Sequence, residues 1–401
     1  MNHVLISGVT SCESRGVEAL VRSVAAHARF WPCQRTTVLT QTPALDAAAV
    51  AGLDTQVQFV ADPFVVSRSW AAHRPAESER QLAARRDALL ADAALVIGTG
   101  GDLHTPDYGV STRYLRALRE AQQRGIPTVL VGQSWGVFDD TAEADALVAV
   151  ASRCAMLSVR EEASREYAVN KLGLADERIR LSSDPAFLLP AAPAEQTAAV
   201  LASCGVGPGD AYLCLAPSQG ITRHSMLTDD QHLQALLNLV RHLAVECGVP
   251  VLLVPHCHDS RPHNDDRILV DRIAALAGHL GVRAVPGALS APEYKAVLGG
   301  ATLVVAERLH AAIGALSSGT PAVVVGHSHK FSGVLAHAYG PNVPADAFHL
   351  DIHALAEPGA WRPLASLPKE ARLRRALTGR LPQMIAAARS DFTALRAALQ
   401  R

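Results

Sequence analysis

The stretch AERLHAAIGALSSGTPAVVVGHSHK, residues 306–330, indicates most directly which fold this chain adopts. An apolar run, Leu303–Ala306, leads into it, and the spacing of its Leu and Ile residues then predicts a helix that ends at Gly319. A second apolar run, Ala322–Gly326, follows the helix. Because strands that are joined through a helix lie parallel in one sheet, the stretch predicts an α/β protein.

The same alternation of apolar strands and amphipathic helices runs through both halves of the chain. Between the halves, the stretch from Leu188 to Asp210 is rich in Pro and Gly and interrupts the alternation. The sequence therefore predicts an N-terminal domain, a linker, a C-terminal domain and a final helical segment that packs back across the domains: 1–190, 191–209, 210–365 and 366–401. We expect two Rossmann-like parallel-sheet domains that face each other across a cleft, with ligands at the carboxyl ends of the strands.

The composition narrows the class of function before any motif is considered. The 401 residues are 49% hydrophobic and carry a net charge of −1, which fits a globular protein and argues against a nucleic-acid partner. No run approaches the roughly 18 apolar residues of a membrane span, and the N-terminus does not resemble a signal peptide. The seven cysteines are scattered without a C-x-x-C pair, so we expect a cytoplasmic protein with reduced thiols.

Positive side chains gather where the two strands of the opening stretch end. Arg308 follows the first strand and lies at the positive end of the next helix, which costs up to about 1 kcal/mol unless a negative charge is near. Either Glu307 balances this charge, or a bound phosphate or carboxylate does. Because neighbouring parallel strands end at one edge, Lys330 should lie near Arg308 and His310. The sequence predicts an anion site there, with a solvated surface as the weaker alternative.

A glycine-rich strand end in the first half is the second candidate. In VIGTGGDLHTPDYG, residues 96–109, Gly100 and Gly101 would let a ligand approach the backbone closely. Asp102 and His104 add groups for proton transfer or for binding hydroxyls. A buried turn that is capped by an aspartate is the alternative interpretation.

Three more polar side chains follow strand ends. Gln133 either lines the cleft or belongs to a simple strand–helix junction, and Glu18 either faces a ligand or complements the dipole of its helix. His256 begins a loop, VLLVPHCHDSRPHNDD at 251–266, whose histidines suggest zinc. The H-x-H spacing matches no standard zinc site, so we expect no metal and take His256 as a side chain that faces a ligand.

Taken in order, these stretches resemble the motifs of the polysaccharide pyruvyl transferase family. They cover nearly the whole chain: SRGVEAL (14–20), GTGGDLH (98–104), GQSWG (132–136), VREEASREYAVNKLG (159–173), SSDPAFLLP (182–190) and ERLHAAIGALSSGTPAVVVGHSHK (307–330). The resemblance implies a glycosyltransferase-B-like fold. It also implies transfer of the pyruvyl group of phosphoenolpyruvate onto two sugar hydroxyls as a ketal.

The resemblance also implies roles for the donor-side residues. Arg308 and Lys330 would hold the phosphate and the carboxylate of phosphoenolpyruvate, and His310 would be the acid/base. No metal or other cofactor is expected, because fixed guanidinium and ammonium groups bind both anionic groups directly.

On the acceptor side, Asp102 and His104 are the candidates for proton transfer, with Glu18 and His256 behind them. The family motif commonly has Asn where this chain has Arg15, a departure that bears on the acceptor side.

Three functions are compatible with these features. The first is a phosphoenolpyruvate-dependent pyruvyl transferase that acts on a sugar or a glycan intermediate. The second is a glycosyltransferase that uses a nucleotide-sugar donor on the same fold, although no acidic residue suited to a donor ribose follows Lys330. The third is a non-catalytic member that binds an anion. For the first we expect phosphoenolpyruvate and a sugar-containing acceptor as partners and no integral membrane segment, and an oligomer is compatible with the sequence.

Overall fold

The computed structural model describes residues 3–28, 31, 33–53, 57–99, 101–108, 111–357, 359–363 and 371–399. The chain forms two compact units. The first contains the residues up to Cys12, Val17–Leu188 and the residues from Ile385 onward, and the second contains Glu13–Gly16 and Leu189–Met384. The chain passes between the two units around residues 13–16, after Leu188 and after Met384. The alternation of strands and helices in the sequence does not reveal the first and the last of these positions.

The first unit is built around a seven-stranded parallel sheet in the order β3-β2-β1-β4-β5-β6-β7. Its strands are β1 (His3–Ser7), β2 (Arg35–Thr40), β3 (Val57–Ala61), β4 (Ala93–Gly98), β5 (Thr128–Gln133), β6 (Met156–Val159) and β7 (Ile179–Leu181). Its helices are α1 (Arg15–Ala28), α2 (Pro43–Ala49), α3 (Glu79–Ala91), α4 (Arg116–Gln123), α5 (Thr141–Ala151) and α6 (Glu162–Asn170). The first two residues of α1, Arg15 and Gly16, belong to the second unit. The strand order reverses between β1 and β4, and ligands of such sheets usually bind beyond the carboxyl ends at this point.

The second unit repeats this plan with a six-stranded parallel sheet in the order β10-β9-β8-β11-β12-β13. Its strands are β8 (Leu213–Ala216), β9 (Val251–Leu253), β10 (Val282–Ala284), β11 (Leu303–Ala306), β12 (Ala322–Gly326) and β13 (His349–Asp351). Its helices are α7 (Ala194–Ser203), α8 (Asp229–Cys247), α9 (Asp266–Ala277), α10 (Ala291–Gly300), α11 (Leu309–Leu316) and α12 (His329–Tyr339). The reversal lies between β8 and β11, so the opening stretch of sequence supplies one wall of the usual ligand position.

The central elements of the second unit are buried on all sides, which explains their continuous apolar runs. Every residue of β11 and β12 is buried. Helix α11 is buried to the same degree except at His310, the second residue of its first turn. The small residues of α11 allow close packing: a Cβ at Gly314 would touch Leu298 of α10 at 3.4 Å. His310 is therefore the side chain by which this buried helix reaches the edge of the sheet.

The predicted fold class of two parallel sheets flanked by helices is confirmed, whereas the cleft between the domains stays a prediction. The stretch expected as a linker, 191–209, contains α7 and is fixed to the second unit. Ala192 N donates to Pro292 O at 2.9 Å, and the buried Lys295 Nζ donates to Leu189 O at 2.6 Å. Its Pro and Gly residues flank a helical run instead of replacing it.

A last helix, α13 (Ala371–Leu399), corresponds to the expected C-terminal segment, whose residues 366–370 lie outside the described part of the chain. Up to Met384 the helix belongs to the second unit, and from Ile385 it belongs to the first. Among the described residues, no helix is both long enough and apolar enough to cross a membrane.

Candidate functional site

Arg308 forms a bidentate ion pair with Asp266 in the second unit. Arg308 Nη2 lies 2.6 Å from Asp266 Oδ1, and Nε lies 3.0 Å from Oδ2. Arg308 occupies the position before α11, and the fully buried Asp266 is the first residue of α9. Burial raises the pKa of Asp266, and the Arg308 charge opposes this rise. The positive charge at the start of α11 is therefore balanced from the loop after β9, a source that the sequence did not indicate.

Glu307 does not balance Arg308, because it is engaged elsewhere. Its Oε1 lies 2.8 Å from His232 Nε2, and its Oε2 accepts a hydrogen bond from Ser218 N at 2.7 Å. Burial disfavours the charged form of His232, but the Glu307 carboxylate outweighs this effect and raises its pKa. Glu307 thus connects the loop after β11 with the loop after β8.

Asn264 brings a second arginine close to Arg308. Asn264 Oδ1 accepts hydrogen bonds from Arg308 Nη2 and from Arg223 Nη2, each at 3.2 Å. Asn264 Nδ2 donates to Asp259 Oδ2 at 2.7 Å, which fixes the orientation of the amide. Two guanidinium groups thus share one amide oxygen at this edge of the sheet. Arg223 could not be found from the sequence, because no motif near it in the chain indicates that it lies close to Arg308.

The segment Glu13–Gly16 pairs with the loop after β9. Ser14 and Cys257 form an antiparallel bridge, Arg15 N donates to His256 O at 3.0 Å, and His258 N donates to Glu13 O at 2.8 Å.

Gly16, the last residue of this segment, lies directly against His310. A Cβ at Gly16 would lie 2.5 Å from both Cγ and Nδ1 of the imidazole, so only glycine leaves the ring where it is. The sequence singled out His310, and the structure adds the glycine that makes room for it.

His256 and His258 lie in a positive environment. Burial and then the nearby His310, Arg308 and Arg15 hold the pKa of His256 well below its ordinary value. His256 is thus in the same neighbourhood as the predicted donor-side residues. It is buried and neutral, and it does not add to the positive charge.

The hydrogen bonds of His258 fix its tautomer. Its Nδ1 lies 2.7 Å from Arg15 Nη2, and an arginine can only donate, so Nδ1 accepts and Nε2 carries the proton. Nε2 donates to Pro255 O and to Tyr294 Oη, both at 3.0 Å. Burial lowers the pKa of His258 to about 4. With both nitrogens engaged, His258 has no lone pair for a zinc ion in this arrangement.

Lys330 lies in the first turn of α12, directly after β12. Strand β12 is the parallel neighbour of β11, with Ala306 opposite Val324, so Lys330 and Arg308 follow adjacent strand ends. Lys330 is buried, and its Nζ lies 5.7 Å from the centre of the Phe331 ring. Ser328 precedes α12 without capping it, and its buried Oγ has no hydrogen-bond partner among the described residues.

In the first unit, the loop after β4 is fixed by the loop after β5. Ser134 N donates to Gly101 O at 2.5 Å, and Gly136 N donates to His104 O at 3.0 Å. Asp102 and His104 are both buried. Gly100 falls outside the described residues.

A fully buried arginine, Arg160, fixes this loop through hydrogen bonds to residues that follow the neighbouring strands. Its Nη1 donates to Asp184 Oδ2 at 2.6 Å, and its Nε donates to Ser134 Oγ at 2.7 Å. Gly101 has a φ of 71°, and a Cβ there would lie 2.8 Å from Arg160 Nη1. The Asp102 carboxylate is one of the negative groups that act on Arg160. Arg160 thus couples the position of the Asp102 loop to the ends of three other strands, and sequence reasoning did not single it out.

The remaining predicted residues of the first unit are buried as well. Burial lowers the pKa of His104 to about 4, and its Nδ1 has no hydrogen-bond partner in the described part of the chain. Gln133 Nε2 donates to Gly98 O at 3.2 Å, whereas Gln133 Oε1 is likewise buried without a described partner. Glu18 Oε1 accepts from Arg22 Nε at 2.7 Å, an i,i+4 pair on α1.

The structure therefore gathers the predicted residues into two groups. The residues around Arg308 lie at the carboxyl edge of the second sheet, with cationic and imidazole groups suited to a small anion. Those around Asp102 lie at the carboxyl edge of the first sheet, with a carboxylate and a neutral imidazole suited to hydroxyl groups.

Comparison with known proteins agrees with the fold and indicates the family. A putative UDP-N-acetylglucosamine 2-epimerase from Listeria monocytogenes aligns over 100% of this chain and 96% of its own, at 11% identity and a TM-score of 0.65. A glycosyltransferase from Rickettsia africae ESF-5 aligns over 100% and 99%, at 9% identity and a TM-score of 0.59. At this identity they show the fold alone, and they confirm the glycosyltransferase-B-like fold that the sequence predicted.

Two sequence matches are more specific. Amylovoran biosynthesis protein AmsJ of Erwinia amylovora is 26% identical over 239 residues, which are 55% of this chain and 54% of that protein. The match thus spans about half the length of this relative. A model of the polysaccharide pyruvyl transferase family matches residues 47–329, well over half of the chain. The chain belongs to the polysaccharide pyruvyl transferase family.

Proposed function

We propose that the protein transfers the pyruvyl group of phosphoenolpyruvate, as a ketal, onto two hydroxyls of a sugar or glycan intermediate and releases phosphate. The observation that supports this most strongly is that Arg308, His310 and Lys330 follow adjacent strands of one sheet in a chain of this family. A glycan or its sugar-containing precursor is the proposed acceptor, in keeping with the family's description and with a relative named for amylovoran biosynthesis.

The phosphate of the donor binds at the start of α12. Helix N-termini attract anions through their unpaired amides, and Lys330 in the first turn adds a positive charge. The hydroxyl of Ser328, which does not cap the helix, is suited to donate to a phosphate oxygen. Arg308 is held in one orientation by Asp266, and the exposed part of its guanidinium donates hydrogen bonds to the donor.

His310 protonates the methylene carbon of phosphoenolpyruvate, which becomes the methyl group. The positive charge develops on the adjacent carbon, and the first acceptor hydroxyl attacks that carbon and loses its proton. The bond from this carbon to the phosphate oxygen then breaks, and phosphate leaves. The second hydroxyl adds to the same carbon and closes the ketal. General acid–base catalysis of this kind contributes about 10² to 10⁴ in rate.

The first acceptor hydroxyl loses its proton to the carboxylate of Asp102, and that proton leaves with the phosphate. The second hydroxyl loses its proton to the same carboxylate, and solvent returns it to His310 for the next turnover. The ring of His104 is neutral at physiological pH, because burial holds its pKa at about 4, and it therefore accepts a hydrogen bond from a hydroxyl. The Arg160 network fixes the loop that carries both side chains. Glu18, Gln133 and His256 complete the proposed binding surfaces, Glu18 and Gln133 on the first unit and His256 on the second.

The test is phosphate release from phosphoenolpyruvate in the presence of a panel of saccharide acceptors. We expect that phosphate release depends on the acceptor and that Arg308→Ala and His310→Ala abolish it. The control variant Arg283→Ala, which changes an exposed residue, should release phosphate like the wild type. Thermal-shift measurements with UDP-N-acetylglucosamine and with phosphoenolpyruvate separate this function from a nucleotide-sugar glycosyltransferase. Stabilisation by the nucleotide sugar alone would contradict the proposal.

A further inference from the structure

We propose that the cationic face of α13, formed by Arg375, Arg389 and Arg396, binds the phosphate head groups of an anionic lipid bilayer. The helix contains six arginines and a single aspartate, in a chain whose net charge is −1. The proposal does not depend on the proposed function, because it involves neither phosphoenolpyruvate nor a saccharide.

The three arginines lie on the same side of the helix. They are separated by 14 and 7 residues, and seven residues make nearly two turns of an α-helix. All three are exposed. The opposite side of α13 is apolar and packs into the interior through five buried residues: Leu373, Leu377, Met384, Ala388 and Leu395. This packing leaves the arginines facing outward.

No carboxylate balances these arginines within the part of the chain that the structure describes. Arg375, Arg389 and Arg396 form no ion pair there. The one acidic residue of the helix, Asp391, is buried, and its Oδ1 accepts a hydrogen bond from Arg180 Nε at 3.2 Å. The cationic face therefore keeps its full charge for a partner.

Two further arginines add charge while they attach the helix to the second unit. Arg374 Nη2 donates to Thr302 O at 3.3 Å, and Arg380 Nε donates to His337 O at 2.9 Å. Backbone carbonyls are neutral, so both guanidinium groups keep their charge. Because Thr302 directly precedes β11, this contact lies at the amino edge of the second sheet, whereas Arg308 follows β11 at the carboxyl edge.

The spacing and surroundings of the arginines favour a bilayer over other anionic partners. Arg375 and Arg389 are about 21 Å apart along the helix axis, too far for one small anion to contact both. Among the described residues of the outward side, none is aromatic, so a sugar ring or a base has no stacking partner. A bilayer instead presents many phosphates in one plane, and a guanidinium group binds a phosphate through two parallel hydrogen bonds. Basic faces of amphipathic helices bind anionic bilayers in this way.

Sedimentation of the full chain with lipid vesicles tests the proposal. We expect binding to vesicles of phosphatidylcholine and phosphatidylglycerol in about equal amounts, at about 0.1 M NaCl, and no binding to phosphatidylcholine alone. Each arginine of the cationic face that is removed should weaken binding about fivefold. The triple variant Arg375→Gln, Arg389→Gln, Arg396→Gln should therefore bind about a hundredfold more weakly than the wild type.

A matched control variant changes the net charge by the same amount at three exposed arginines of α3, α4 and α8: Arg80→Gln, Arg119→Gln and Arg241→Gln. We expect it to bind the anionic vesicles like the wild type. Replacing the three arginines of the cationic face with lysine keeps the charge and should preserve most of the binding.

The proposal is overturned if the wild type does not bind the anionic vesicles, or if the triple glutamine variant and its control lose binding equally. Polygalacturonate, a soluble acidic polysaccharide, is titrated in parallel. If only its binding depends on the three arginines, the cationic face binds a glycan and the assignment to lipid is wrong. If thermal unfolding shows that the triple glutamine variant is less stable than its control, Arg389→Gln decides, and unchanged vesicle binding in that variant overturns the proposal.

Discussion

Arg308 and Asp266, 42 residues apart in the chain, form a two-point ion pair, with 2.6 Å from Nη2 to Oδ1 and 3.0 Å from Nε to Oδ2. The pair joins the loop after β11 to the start of α9 and holds the predicted donor-side arginine in one orientation. Asp266 is fully buried, whereas the Arg308 side chain keeps 23% of its surface exposed. An anion can therefore approach the arginine while the aspartate stays in the interior.

Asp266→Asn should lower the free energy of unfolding by about 3 kcal/mol, because it removes the buried carboxylate that pairs with the partly buried Arg308. Urea denaturation measures this change. The matched control is Asp230→Asn, which breaks the ion pair of Arg272 and Asp230 on the surface, where Asp230 is 91% exposed. If the two variants lose the same stability, the buried pair does not organise the site.

Gly16→Ala should lower kcat for phosphate release much more than it raises KM for phosphoenolpyruvate. The added Cβ would lie 2.5 Å from two atoms of the His310 ring and must displace the proposed acid. Displacement of a reacting group by about 1 Å can cost 10²-fold in rate. Gly278→Ala is the control, since a Cβ there meets nothing within 4 Å. A normal kcat in Gly16→Ala would show that His310 does not act as the acid.

Gly101→Ala tests the contact between the Asp102 loop and Arg160. Alanine at this position meets a positive φ of 71° and a steric clash with Arg160 Nη1 at 2.8 Å. Gly125→Ala is a close control, because Gly125 has a φ of 72° but open space around its Cβ position. We expect Gly125→Ala to cost about 1 kcal/mol in unfolding free energy and Gly101→Ala clearly more. Equal costs would mean that Arg160 does not support the loop tightly.

The pH dependence of stability should report the buried His104. Its folded pKa is about 4 and its unfolded pKa is near 6.5, so between these values the unfolded state binds the proton first. Stability is therefore complete above about pH 6.5 and decreases as the pH falls towards 4, by at most about 3 kcal/mol from this residue. His104→Gln should flatten the dependence in this window, whereas the exposed His279→Gln should not. An unchanged profile in His104→Gln would contradict the burial of a neutral ring.

The sequence predicted the fold because the signal is local and repeated. Runs such as Ala322–Gly326 are apolar throughout, and a strand buried on both faces requires this. The end of the first domain was harder to predict, since α7 lies between Pro- and Gly-rich flanks that suggested a linker. The exchange of Glu13–Gly16 into the second unit depends on pairing with His256–His258, more than 240 residues later, which no local pattern can indicate.

The sequence also predicted only part of the candidate site, namely the residues that follow consecutive strands. Arg308 and Lys330 could be assigned to neighbouring strand ends, because consecutive strands of a parallel sheet often pair. The partners Asp266 and Asn264 could not, because the loop after β9 reaches Arg308 only through the strand order β9-β8-β11. Charge balance at such a site depends on tertiary contacts.

The fate of carbon 2 of phosphoenolpyruvate distinguishes transfer of the pyruvyl group as a ketal from every other outcome. The protein is incubated in heavy water with an active saccharide acceptor and donor labelled with carbon-13 at that position, and the product is analysed by NMR. We expect a labelled carbon bonded to two sugar oxygens, next to a methyl group that carries one deuterium from the proton-transfer step. A product whose label remains in an enol ether, or a saccharide that gains no label while phosphate is released, would contradict it.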